Sequence, residues 1–117
     1  MKNQITLCPR LQLKQPIYLD EIVLLEAMCN YTMVYLRSGK TILTSQTLQR
    51  FDDQFPETVF WRISRNFLIK APEIVKWERM PDYALHITLT NGKVLSVSRR
   101  KKNWVKVQLN RFFNNNV

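Results

Sequence analysis

Short runs of alternating apolar and polar residues predict strands in the first part of the chain. Residues 17–27 contain the apolar run IVLL, which suits a buried strand better than a helix of this length. Residues 32–44, TMVYLRSGKTILT, alternate on either side of Ser38-Gly39-Lys40 and predict a hairpin. Gly39 lies where that turn needs a positive φ. The pattern therefore begins with antiparallel β structure.

The apolar spacing changes in SQTLQRFDDQF, residues 45–55. Leu48, Phe51 and Phe55 recur at i, i+3 and i+7, so they share one face of a helix. Ser45 is the expected N-cap. One short amphipathic helix is therefore predicted inside the β structure.

Extended character returns in VFWRISRNFLI, residues 59–69. On a strand, Trp61, Ile63 and Arg65 share one face, and the two apolar side chains are candidates for the core. Arg65 reaches solvent only where the strand has ended. Because Arg65 lies on the same face as these apolar side chains, we predict that the strand ends in a turn at Arg65-Asn66.

The last part of the chain predicts more strands and one further helix. Residues 73–80 form a strand, and 83–89 pairs with 93–98 through Asn91-Gly92, which is a strong hairpin signal. Residues 104–113, WVKVQLNRFF, carry apolar side chains at helical spacing and can form a C-terminal helix. The fold class is therefore mainly β, with short antiparallel sheets, one short internal helix and this C-terminal helix.

Length and composition indicate one ordered domain. The chain has 117 residues, of which 45% are hydrophobic. We expect an N-terminal extension, a domain and a tail at residues 1–16, 17–110 and 111–117. No apolar run approaches the roughly 18 residues of a membrane span, and the N-terminus lacks the apolar stretch of a secretory signal. A cytoplasmic protein without a membrane partner is expected.

The residues that usually carry catalysis or bind metals are scarce. Cys8 and Cys29 are too few for a zinc site or a disulfide framework and are expected to stay free thiols. His86 is the single histidine and lies in a predicted strand. Both glycines fall in hairpin turns, so there is no glycine-rich phosphate loop. Glu26 ends an apolar run but is one carboxylate alone. We expect no enzyme, no cofactor and no metal.

The basic residues do indicate a function, because they are strongly clustered along the chain. The chain carries 18 Lys and Arg against 9 Asp and Glu. Residues 99–117 contain six basic residues and 62–70 contain three, with no acid in either segment. The rest of the chain is balanced. Such clustering is typical of a surface that binds a polyanion, whereas an even spread would indicate only a soluble surface.

Two basic segments and one polar turn have the side chains that nucleic-acid recognition requires. RISRN at 62–66 and SRRKK at 98–102 combine arginines, which read guanine, with small polar residues that bind phosphates. Asn30 and Tyr31 form a third polar group at the start of a hairpin. All three are predicted at strand ends or turns, from which they can project. The alternative for Arg62 and Arg65 is an ion pair with Glu57, Glu73 or Glu78 on neighbouring strands.

Four segments in this order resemble the LytTR family of bacterial DNA-binding domains. They are IVLLEAMCNYTMVYL, SGKTILTSQTLQRFDDQFP, FWRISRNFLIK and NGKVLSVSRRKK, and the resemblance covers about residues 17–109. It implies short antiparallel sheets stacked in an elongated assembly. It also implies that loops, instead of a recognition helix, enter successive major grooves of duplex DNA.

By matching position, the resemblance implies two sets of DNA contacts. The base-reading candidates are Asn30, Tyr31, Arg65 and Arg99. The phosphate-binding candidates implied in the same way are Ser64, Asn66, Arg100 and Lys101, and the chemistry of the two basic segments adds Arg62, Ser98 and Lys102. The chain departs from the family pattern at Ser64, where many members have His, and at Lys70, where Asn is common.

Partners and alternatives follow from this resemblance. Double-stranded DNA is the expected partner, bound by two domains on repeated half-sites or by a homodimer. No segment resembles the phosphoacceptor domain of many family members, so the chain is either a stand-alone regulator, which Met1 favours, or a fragment. The alternative functions are an RNA-binding or single-strand-binding β domain, and a protein-interaction β domain.

Overall fold

The computed structural model describes residues Gln4–Ile5 and 17–114. These residues form ten strands and two α-helices, with 3-10 turns before β3 and β8. The strands are β1 (Gln4–Ile5), β2 (Ile17–Tyr18), β3 (Ile22–Met28), β4 (Tyr31–Leu36), β5 (Thr41–Thr44), β6 (Phe60–Arg62), β7 (Phe67–Lys70), β8 (Ile74–Arg79), β9 (Leu85–Leu89) and β10 (Val94–Val97). The helices are α1 (Leu48–Gln54) and α2 (Arg99–Asn114).

All strand pairs in the described part of the chain are antiparallel, as the short connections predicted. A five-stranded sheet has the order β5-β4-β3-β7-β6, and a three-stranded sheet has the order β10-β9-β8. Strands β1 and β2 form a separate pair. The molecule is elongated, measuring 44 × 32 × 24 Å. The mainly β fold class is therefore confirmed.

The five-stranded sheet is buried on both faces, which explains the continuous apolar run in β3. Leu25 packs with Phe51 and other residues of α1 on one face. Leu24 packs on the other face in a second cluster, with side chains of the three-stranded sheet and α2. Neighbouring residues of a strand point to opposite faces, so a central strand needs apolar residues at every position. Trp61 and Ile63 belong to the second cluster, as predicted.

Helix α1 forms where it was predicted, but its N-cap is not Ser45. The N-cap is Thr47, whose hydroxyl accepts the Arg50 N–H at 3.4 Å. Before it, Gln46 remains attached to the sheet, because its carbonyl accepts the Thr32 hydroxyl at 2.7 Å. This attachment delays the start of the helix by two residues. Leu48 and Phe51 are buried, as the helical spacing predicted.

Helix α2 is longer than its apolar pattern indicates. It begins at Arg99, five residues before the predicted start at Trp104, and it passes residue 110 and ends at Asn114. Residues 99–103 carry no apolar side chain, so periodicity gave no helical signal there. Arginine and lysine are nevertheless good helix formers. The tail NNNV, residues 114–117, is expected to be frayed, but Asn114 is the last residue of α2, and 115–117 lie outside the described residues. None of the described helices is long and apolar enough to cross a membrane.

Candidate nucleic-acid interface

The RISRN segment forms the connection between β6 and β7. The chain bends at residues 64–66, which confirms the turn predicted at Arg65-Asn66. The Ile63 N–H donates to the Phe67 carbonyl at 3.1 Å and closes the turn at its base. The Asn66 N–H donates to the Ser64 hydroxyl at 3.2 Å. Arg65 and Asn66 are exposed at the tip.

The SRRKK segment lies directly beside this turn. The Ser98 N–H donates to the Ile63 carbonyl at 2.9 Å, which joins the end of β10 to the end of β6. The two segments line a shallow cleft of about 360 Å³ together with one side of α1. Its lining residues are Gln49, Asp52, Arg62, Ser64, Arg65, Ser98, Arg100 and Lys101.

The placement of SRRKK at a strand end needs correction. Only Ser98 follows β10 as an extended residue, and Arg99 to Lys102 form the first turn of α2. Their side chains are therefore spaced around a helix and do not project from a loop. The N-terminus of a helix carries a partial positive charge, and here no acidic residue in the first turn offsets it. The basic side chains and the helix N-terminus therefore both favour the binding of an anion at this position.

The third predicted group lies at the same end of the five-stranded sheet. Asn30 is exposed in the two-residue turn between β3 and β4, where Cys29 adopts a φ of 56°. The Ala27 N–H donates to the Asn66 carbonyl at 2.8 Å, so this hairpin and the RISRN turn are neighbours. Tyr31 begins β4 and is 48% exposed. Neither Asn30 nor Tyr31 lines the cleft itself.

The basic side chains differ in how many contacts they make within the protein. Within residues 17–113, the guanidinium groups of Arg65, Arg99 and Arg100 make no hydrogen bond or ion pair, and all three side chains are exposed. The Lys101 ammonium lies 4.6 Å from the centre of the Trp104 ring, and Lys102 donates to the Tyr83 carbonyl at 2.9 Å. Three arginines are therefore available to a ligand without breaking a contact.

Arg62 is tied into the protein instead. Its Nε donates to the Ser64 carbonyl at 2.8 Å, and one terminal nitrogen donates to the Arg65 carbonyl at 2.7 Å. The other terminal nitrogen lies 3.5 Å from the Asp52 carboxylate and 3.3 Å from the Gln49 amide oxygen.

The ion pairs suggested for Arg62 and Arg65 with glutamates of neighbouring strands do not form. The Glu73 carboxylate accepts the Thr90 hydroxyl at 2.7 Å and lies 3.6 Å from Arg37. Glu57 and Glu78 are exposed side chains with no ion pair among the described residues. The acidic partner of Arg62 comes from helix α1, because that helix packs beside the turn.

Sequence reasoning missed the contribution of α1 to this site. Gln49 and Asp52 are three residues apart on its polar side and both contact Arg62. The sequence identifies this polar side, since Leu48 and Phe51 define the opposite one. Which polar residues meet RISRN depends on how the helix docks, and no local pattern encodes that.

Glu26 accepts a hydrogen bond behind the Asn30 turn. The sequence alone gave this carboxylate no partner. The Tyr35 hydroxyl donates to it at 2.6 Å, and this bond, together with burial and the carboxylate charge, raises the pKa of Tyr35 to about 12. The Lys93 ammonium lies 4.7 Å from the centre of the Tyr35 ring. Glu26 therefore braces β3 against β4 below the hairpin tip.

The cysteines and the histidine supply no further chemistry to this site. Cys29 is an exposed free thiol, whereas Cys8 lies outside the described residues. His86 pairs with Ser96 and Glu78 across the three-stranded sheet and is half-buried. No group of three metal-binding side chains occurs among the residues that the structure describes.

Comparison with known proteins decides the family. A sequence model of the LytTr DNA-binding domain matches residues 15–110. The chain belongs to the LytTR family. Its activity is therefore DNA binding in transcription regulation, and the family is regulatory, not catalytic. A search of curated protein sequences finds no match.

A solved structure shows the same LytTR fold. It is the LytTr DNA-binding domain of a protein described as a methyl-accepting/DNA response regulator from Bacillus cereus. The match covers 93% of this chain and 98% of that one, with a TM-score of 0.77 and 21% sequence identity. At that identity the likeness establishes the fold alone.

Proposed function

We propose that this LytTR domain reads the sequence of duplex DNA with one end of its five-stranded sheet. The observation that carries the proposal is the convergence of three segments that are far apart in the sequence. Two backbone hydrogen bonds hold them together, from Ser98 to Ile63 at 2.9 Å and from Ala27 to Asn66 at 2.8 Å. The most basic part of a chain with a net charge of +9 is thereby gathered at one end.

The proposed base contacts are the exposed side chains at the tips of this end. Arg65 and Arg99 each present an unpaired guanidinium group, which can form two parallel hydrogen bonds with guanine. Asn30 can pair with adenine, and Tyr31 lies beside it at the start of β4. The proposed phosphate contacts surround them: Ser64, Asn66, Ser98, Arg100, Lys101 and Lys102.

We further propose that the turns and the first turn of α2 enter successive major grooves. The longest dimension of the molecule, 44 Å, exceeds the roughly 34 Å between successive turns of B-DNA, so the size of the domain permits this placement. Two copies on repeated half-sites, or a homodimer, would extend the contact. The bacterial cytoplasm is the proposed place of action, since the chromosome lies there.

The burial of the aromatic side chains favours duplex over single-stranded nucleic acid. Single-strand binders stack bases on exposed rings. Here Phe60 is 2% exposed and Trp61 is 1% exposed, and Phe67 and Trp104 are packed against the core. Among residues 17–113, the exposed rings near the proposed contacts include Tyr31 and also Tyr83, whose carbonyl accepts the Lys102 ammonium at 2.9 Å.

Selection of binding sites from random duplexes tests the proposal. We expect a recurring sequence to be enriched, and single-stranded DNA or RNA of that sequence to compete poorly. No enriched sequence would contradict sequence reading. Better competition by the single strand would support the alternative, an RNA-binding or single-strand-binding domain. No binding to any polyanion at low salt would support a protein-interaction domain.

A further inference from the structure

We propose that Arg62 is a positioning residue that holds the turn carrying Arg65, and that it is not itself a phosphate contact. The inference rests on the proposed function, in which Arg65 reads a base. Arg62 is the last residue of β6, directly before the turn, and its side chain is 18% exposed.

The guanidinium group of Arg62 folds back onto the turn that follows it. It donates to two successive carbonyls, that of Ser64 at 2.8 Å and that of Arg65 at 2.7 Å. Neither carbonyl receives a backbone N–H from the described residues. A turn of this kind leaves carbonyls without the partners that a strand would supply. Arg62 supplies both, and so it fixes the peptide planes on either side of Arg65.

Helix α1 holds the guanidinium group in place from the other side. The remaining terminal nitrogen lies 3.3 Å from the Gln49 amide oxygen and 3.5 Å from the Asp52 carboxylate. Four protein acceptors thus surround the five N–H donors of the group. One N–H of the group is left over, so a phosphate held by two hydrogen bonds would have to displace at least one of these contacts, and the Asp52 carboxylate would repel it.

This arrangement explains how an exposed turn can present a side chain with defined geometry. A free turn would lose conformational entropy when it binds DNA, and a turn that is already ordered loses less. Recognition of a base depends on that geometry, whereas attraction to phosphates does not. Loosening the turn should therefore weaken binding to the recognised sequence more than binding to other sequences.

The test compares Arg62→Lys and Arg62→Gln with wild type on the selected duplex and on a scrambled one, at several salt concentrations. Lysine keeps the charge but cannot form the fork of hydrogen bonds. Arg50→Lys and Arg50→Gln are matched controls, because Arg50 is an exposed arginine of α1. We expect both Arg62 variants to bind the selected duplex at least tenfold more weakly. The salt slope and the affinity for the scrambled duplex stay unchanged.

A phosphate contact would give a different result. Arg62→Lys would then bind like wild type. Arg62→Gln would weaken both duplexes equally and reduce the salt slope by about one. That outcome would overturn the inference.

A second variant, Gln49→Ala, leaves the charge and the core intact. It should reduce affinity for the selected duplex severalfold and leave affinity for the scrambled duplex unaffected.

Amide hydrogen exchange of the free protein separates this inference from the proposed function. Loss of the fork should speed exchange of the Ile63 and Asn66 amides, which donate to the Phe67 carbonyl and the Ser64 hydroxyl, in both Arg62 variants and leave the Arg50 variants unchanged. Unchanged exchange would overturn the positioning role. If wild type bound the selected and scrambled duplexes equally, sequence reading would fail, and the exchange rates would still decide what Arg62 does.

Discussion

The hydrogen bond from Ser98 to Ile63 is the link that brings the two basic segments together, and Ser98→Pro removes it selectively. Proline lacks the N–H that reaches the Ile63 carbonyl at 2.9 Å. Val97 before it is extended, as the residue before a proline should be, and Ser98 lies outside α2, so no helical hydrogen bond is lost. Ser98→Ala is the matched control, since it loses the same hydroxyl and keeps the N–H.

The size of the effect follows from burial. Ile63 is fully buried, so its carbonyl has no access to water when the donor is lost. An unsatisfied buried acceptor costs about 1–3 kcal/mol. We expect Ser98→Pro to be less stable than Ser98→Ala by that amount. Affinity for the recognised duplex should fall about tenfold relative to the control, which corresponds to about 1.4 kcal/mol.

Urea unfolding followed by tryptophan fluorescence measures the first effect, since Trp61 and Trp104 pack in the core beside this link. Titration of the recognised and scrambled duplexes measures the second. Equal stability and equal affinity of Ser98→Pro and Ser98→Ala would refute the view that this hydrogen bond joins the two halves of the interface.

Three further predictions concern the elements behind the interface. Thr47→Ala should cost about 1 kcal/mol of unfolding free energy by removing the cap of α1, while Thr47→Ser should not. Glu26→Gln should lower the pKa of Tyr35 from about 12 towards 10, measured by tyrosinate absorbance. Because folding favours the protonated phenol, the stability from this pair is present below pH 10 and is lost as the pH rises through 12. Leu109→Ala should cost about 2–5 kcal/mol, and Val107→Ala, at an exposed position of α2, less than about 0.5 kcal/mol.

Much of the fold could be predicted because its signals are local. Alternation or a continuous apolar run identified the strands from β3 onwards, and Asn-Gly identified the hairpin between β9 and β10, whereas the two-residue strand β1 was not predicted. The glycines at 39 and 92 adopt φ values of 93° and 89°, as those turns require. The first residues of the two helices were harder to predict. The first turn of α2 is basic throughout, and the start of α1 depends on Gln46 being bonded to the sheet.

The site could be predicted in composition but not in arrangement. Side-chain chemistry and family resemblance singled out RISRN, SRRKK and Asn30. Their convergence depends on β3 lying between β4 and β7, which places the two turns side by side. That strand order is a property of the whole sheet. The contact of Arg62 with Asp52 was missed for the same reason, since it requires α1 to dock beside the turn.

The central claim is that this end of the sheet reads base sequence as well as binding charge. Affinities of Arg65→Ala and Arg99→Ala for the recognised and scrambled duplexes test it most directly. The account predicts a loss of about 1–3 kcal/mol on the recognised duplex and little change on the scrambled one. Equal losses on both duplexes would contradict it, because they would show that the two arginines only neutralise phosphates.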